Sequence, residues 1–195
     1  MLRSVLILAA VLIPSAAFAH TGAGDPSGFL HGFTHPIGGL DHILAMVAVG
    51  VFAYVLGGRA LWLVPCAFVG MMVIGFALGV AGTEIPFVEL GIALSSVVIG
   101  GAAALGRPMP VGIAMALVGV FAIFHGHAHG SEMPETSGGL AYAAGFIAAT
   151  AMLHAIGILA AFGTAKAIGR YGRTAARIAG ATFALGGVGV LTGYL

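Results

Sequence analysis

The sequence predicts an all-α polytopic membrane protein: six transmembrane helices after a cleaved signal peptide, with the N-terminus and C-terminus outside. Three observations carry this. Apolar residues make up 60% of the 195-residue chain and charged residues only 7%, where a soluble domain carries about 25% charge. Mean hydropathy is +1.12. The apolar residues form six stretches of near-spanning length, and the basic residues fall in alternate breaks between them.

The first element is the signal peptide, residues 1–19. Arg3 supplies a short positive start, and Ser4 to Ile13 is apolar but too short to span. Pro14 interrupts it, and Ala17-Phe18-Ala19 fits a small-x-small cleavage site. Cleavage there makes His20 the mature N-terminus, and residues 20–195 form a single domain.

The spans follow at roughly 36–56, 60–81, 86–105, 109–126, 138–163 and 174–194. Gly57-Gly58-Arg59, Gly82-Thr83-Glu84, Gly106-Arg107-Pro108, a 127–137 loop and the 164–173 segment separate them. With the N-terminus outside, Arg59, Arg107, Lys166, Arg170 and Arg173 fall inside, with Arg177 at the edge. Asp25, Glu84, Glu132 and Glu135 fall outside, so the positive-inside rule is obeyed throughout the mature chain. The 33 glycines recur at four-residue spacing at Gly75/Gly79 and Gly189/Gly193. That spacing lets helices approach closely in lipid, although small residues are common in any tight bundle.

Ionisable groups inside a bilayer are costly and mark function. The run His35-Pro36-Ile37-Gly38-Gly39-Leu40-Asp41-His42 opens the first span. Pro36 suits the first turn of a helix. His35 and His42, seven residues apart, then nearly eclipse, with Met46 one turn deeper. Asp41 points about 120° away on a regular helix. It either joins the ligands through an irregular backbone or accepts a hydrogen bond from a ligating imidazole. The fourth span ends in Phe124-His125-Gly126-His127-Ala128-His129-Gly130-Ser131-Glu132. His125 and His129 share a helical face, and His127 points elsewhere, toward external water. The orientation puts both clusters on the outer side, where they converge. His154 in the fifth span and Glu89 in the third are further candidates for a metal pathway. No Lys or Arg in the spans pairs with Asp41 or Glu89, so these carboxylates must be protonated or meet a cation. Imidazoles and carboxylates suit a borderline divalent ion. His20 adds an α-amine beside an imidazole and is a candidate for metal capture at the outer mouth.

Other chemistries are disfavoured. Net charge is +1, which argues against nucleic acid. Cys66 stands alone, and the methionines are scattered, so no soft-metal path is implied. There is no Walker A loop and no His-Glu-x-x-His motif, and the chain is not expected to be an enzyme.

With these residues in view, the chain resembles the HupE/UreJ family of nickel permeases. The resemblance rests on His35 followed five residues later by Asp41-His42, and on Phe124-His125-Gly126-x-Ala128-His129-Gly130-x-Glu132. It covers essentially the whole mature chain. It implies a secondary transporter in the bacterial inner membrane, supplying Ni2+ for hydrogenase or urease maturation. Co2+ and Zn2+ remain open as substrates, and a homo-oligomer is left open. It also implies His35, Asp41, His42, His125, His129 and Glu132 as the functional residues. Two other readings stand beside it: a haem or electron-transfer subunit using His42 and His154 as axial ligands, and a metal-binding membrane protein that does not transport.

Overall fold

The computed structural model describes residues 28–134 and 137–195; the expected signal peptide and His20 lie outside them. Among the described residues the chain is all-helical. The helices are α1 (Gly28–Gly38), α2 (Leu40–Leu56), α3 (Ala60–Val80), α4 (Val88–Leu105), α5 (Val111–Ser131), α6 (Gly139–Ile168) and α7 (Gly172–Leu191), with a 3-10 turn at Gly169–Tyr171. Such apolar sequence has no polar solvent partner in lipid, so its backbone must bond within itself, and helices result. α3, α4 and α5 are each long and apolar enough to cross a membrane, as is the stretch Gly139–Leu191. The bent pair α1 and α2 adds a fifth if taken as one span.

The Gly139–Leu191 stretch doubles back. Gly157 of α6 abuts Val47, while Gly186 of α7 abuts Leu44, one turn away on α2. A straight helix would hold those two glycines about 43 Å apart at 1.5 Å per residue. The reversal falls at Gly169, whose φ of 57° is a left-handed conformation open to glycine. α7 then runs antiparallel to α4: Gly100 meets Gly180 and Ala184, and Gly187 meets Ser96.

Two expectations about element ends are corrected. The first span is not one regular helix beginning near Pro36. Pro36 lies inside α1, and α1 meets α2 at an 84° bend. The cause is local. Pro36 has no N–H to continue the ladder, and Gly39 is extended at φ −101°, ψ 124°. The eclipsed His35–Met46 face therefore does not exist. The fourth span also continues past 126, so the expected 127–137 loop is helical as far as Ser131. Nothing before Pro134 breaks it, since proline disfavours helix at the residue preceding it.

The glycines of α3 and α5 form a reciprocal seam. Gly75 and Gly79 lie against the backbone at Ile123, His127 and Gly130. Gly126 and Gly130 lie against Met72 and Phe76 in return. Close approach is thus used at Gly75/Gly79; Gly189 instead meets the Leu195 side chain. The seam fixes the rotation of α5 and hence the aim of its histidines. Replacing Gly126 with alanine drives a methyl into the Met72 carbonyl. Gly126→Ala should cost about 1–3 kcal/mol, read as a lowered thermal midpoint in detergent. Gly101→Ala, whose methyl meets nothing within 4 Å, should be neutral or stabilising. Equal effects from the two would contradict the seam.

Candidate metal site

α5 sorts its terminal residues by helical angle. Gly126 and Gly130 face α3, and His125 and His129 face the α1–α2 bend. His35 arrives from the last turn of α1 and His42 from the first turn of α2. The bend, rather than one continuous face, brings these two together. Ring centroids are 4.7 Å apart for His42 and His125, 5.2 Å for His42 and His129, and 4.9 Å for His35 and His129. His35 and His42 are 6.3 Å apart. Four imidazoles from three helices thus form one cluster.

Hydrogen bonding fixes which nitrogens are free. A neutral imidazole carries one N–H and one lone pair. His42 Nδ1 lies 3.1 Å from Asp41 Oδ1. The ionised carboxylate only accepts, so Nδ1 donates and the lone pair sits on Nε2. Of the two roles the sequence left open for Asp41, its position fits the acceptor. The Ser95 hydroxyl donates to the Ile92 carbonyl at 2.5 Å. It must therefore accept from His125 Nε2, 2.9 Å away, which leaves the His125 lone pair on Nδ1. His42 Nε2, His125 Nδ1 and both nitrogens of His129 are buried with no hydrogen-bond partner among the described residues. His129 stacks on Phe146 at 4.8 Å and 6°. A histidine held by an oxygen at one nitrogen and free at the other is the usual arrangement of a metal ligand. The rings pack edge to face, however, and no group of three His, Cys, Asp or Glu side chains among the described residues forms a ready-made metal site.

A cavity of about 410 Å³ opens beside the cluster, lined by His31, Thr34, His35, Asp41, His42, Glu89 and Glu132 among others. Among the described residues its lining has three carboxylates and no Lys or Arg. His35 Nε2 donates to Glu132 Oε2 at 3.2 Å. That bond holds the Glu132 carboxyl below its ordinary range, against the opposing effect of burial.

The remaining sequence candidates lie apart. His127 does not face open water: it is buried, and Nε2 donates to the Thr83 carbonyl at 2.7 Å. The reason is the helical continuation to Ser131, which turns it under the α3–α4 loop. His154 is buried with both nitrogens unpartnered among the described residues. Phe68 packs against both it and the cluster, 5.6 Å from His125 and 5.1 Å from His154 by ring centroid. Sequence reasoning missed His31, Ser95 and Phe68. His31 is four residues before His35, the spacing of a shared helical face. The Ser95-Ser96 pair interrupts an otherwise apolar run. Phe68 carries no sequence signal.

Several long apolar helices around a buried imidazole cluster define the class: a multi-pass helical membrane protein with a polar site inside the bundle. The chain belongs to the HupE / UreJ protein family, whose sequence profile matches residues 8–190. It is similar to Protein HupE of Rhizobium leguminosarum bv. viciae, 47% identical over 186 residues that cover 95% of each chain. No solved structure matches it.

The tautomers are testable without metal. Nitrogen-15 correlation spectra should show His42 as the Nδ1–H form and His125 as the Nε2–H form. Ser95→Ala should change His125 alone. An Nε2–H form at His42 would contradict the assignment.

Proposed function

We propose that this chain is a secondary transporter taking up Ni2+, with Co2+ or Zn2+ as alternative substrates, across the bacterial inner membrane. Such uptake would serve metalloenzyme maturation. The observation that supports it most is the cluster of buried imidazole lone pairs with no donor among the described residues, beside a cavity whose ionisable lining residues are carboxylates and imidazoles. An electron-pair acceptor is what these groups lack, and a borderline dication supplies one.

The helix directions and charges fit six spans, counting α1–α2 as one and α6 and α7 separately, with the cavity outside. Asp41, Glu89 and Glu132 would then concentrate cations at the outer mouth. The arriving ion exchanges water for the lone pairs of His42, His125 and His129, whose rings rotate to converge on it. Phe68 packs against both His125 and His154, and we place it on the ion's path between them. Inward passage requires that ring to move aside, which makes Phe68 a gate and His154 the next group met. A dication moving inward at 100 mV gains about 4.6 kcal/mol, roughly a thousandfold accumulation. The membrane potential is therefore sufficient, and proton coupling through Asp41 or Glu89 is compatible with the same route. The haem reading fits poorly, because the His42 ring packs against His125 and the His154 ring against Phe68.

Proteoliposomes with an inside-negative potential should accumulate radioactive nickel. His42→Ala and His129→Ala should reduce the rate by more than about tenfold, and Asp41→Asn should weaken affinity about 10–100-fold. Binding without flux in the unaltered protein would support the non-transporting reading instead.

With pH equal on both sides, acidification should lower uptake, because a protonated imidazole has no lone pair to offer the ion. A rate that never falls on acidification, down to the pH at which the protein unfolds, would contradict imidazole ligation in the limiting step.

A further inference from the structure

The end of the bundle opposite the imidazole cluster holds a second polar feature. A cavity of about 210 Å³ lies where α2 and α4 end and α7 begins, and Leu56, Gly106, Arg107, Pro108 and Arg173 line it. Arg177, on the same side, is engaged otherwise: its Nε donates to the Ala104 carbonyl at 2.8 Å. All six Lys and Arg among the described residues lie at the ends or turns of this side, and none of the four described carboxylates does. The ion pairs found among the described residues are His35–Glu132 and His42–Asp41, both at the far end. Arg107 and Arg173 therefore share one concavity with no carboxylate and no side-chain hydrogen bond among the described residues.

Both arginines are exposed, and two guanidinium groups on one cavity wall with no carboxylate among the described residues favour an anion there. Each presents a rigid fork of donors that matches two oxygens of one phosphate. The cavity admits such a group together with waters, each taking about 30 Å³. Basic pockets between membrane helices, at headgroup depth, suit anionic phospholipids. We infer that the Arg107–Arg173 cavity is a binding site for a phosphate-bearing anion, whose source is an anionic phospholipid headgroup or free phosphate. The site stands without the transport reading. If that reading holds, the bound anion has a consequence: it offsets the positive field that a dication meets on leaving by this end.

The test uses the full chain, purified in neutral detergent and analysed by native mass spectrometry with phosphatidylglycerol and phosphatidylcholine in equal amounts. Two arginines at about 1 kcal/mol each give a roughly thirtyfold preference for the anionic lipid. Arg107→Gln combined with Arg173→Gln should abolish it, while Arg59→Gln combined with Arg170→Gln, on the same side but outside the cavity, should keep it. Should the first pair fail to fold, Arg107→Lys with Arg173→Lys keeps the charge and loses the fork, and it should still reduce the preference severalfold. Competition by millimolar inorganic phosphate would identify free phosphate as the source; its failure to compete would identify the headgroup. No preference in the unaltered protein, or equal loss in the cavity and control pairs, would overturn the inference.

Discussion

A buried polar group without a hydrogen-bond partner costs on the order of 1–3 kcal/mol. This bundle gathers several in one place, on His42, His125 and His129. A protein of marginal stability does not collect such costs in its core by accident. Much of the surrounding structure serves to hold these nitrogens where they are. The bend at Gly39 lets His35 and His42 approach from two helices rather than one. The glycine seam between α3 and α5 sets the rotation of His125 and His129. Asp41 and Ser95 fix the ring tautomers so that the lone pairs, not the N–H groups, remain free. Lys and Arg are absent from the cavity wall, where they would compete for the cation's place.

The fold was largely legible because apolar run length and turn glycines are local signals. The breaks at Gly57, Gly106 and Gly169 each fall where composition marks one. What escaped was geometry that depends on the third dimension. Pro36 looks like a helix start when only its own turn is considered. Its position inside α1 follows from the helix beginning at Gly28, earlier than the apolar pattern indicates. His127 reads as a loop residue until the glycines at 126 and 130 are seen to need a helical partner in α3.

The candidate site was legible in its residue types but not in its supports. Histidine and carboxylate in an apolar chain stand out by cost alone. Ser95 does not, because a serine in a membrane helix usually bonds its own backbone, and this one does so at Ile92 while also accepting from His125. Phe68 is one apolar residue among many until His125 and His154 are found packed against it. The contrast between the bundle's two ends was visible as the positive-inside pattern. The pairing of Arg107 with Arg173 across a shared cavity required the fold.

The central claim is that the imidazole cluster takes up a divalent cation directly. X-ray absorption at the nickel K-edge, on the purified full chain loaded with one equivalent of Ni2+, tests it without transport or activity. The account predicts a nitrogen and oxygen shell with the outer scattering of at least two imidazoles, reduced in His129→Ala. A sulfur shell, which would implicate Cys66 or methionine, or a spectrum without imidazole scattering, would contradict it.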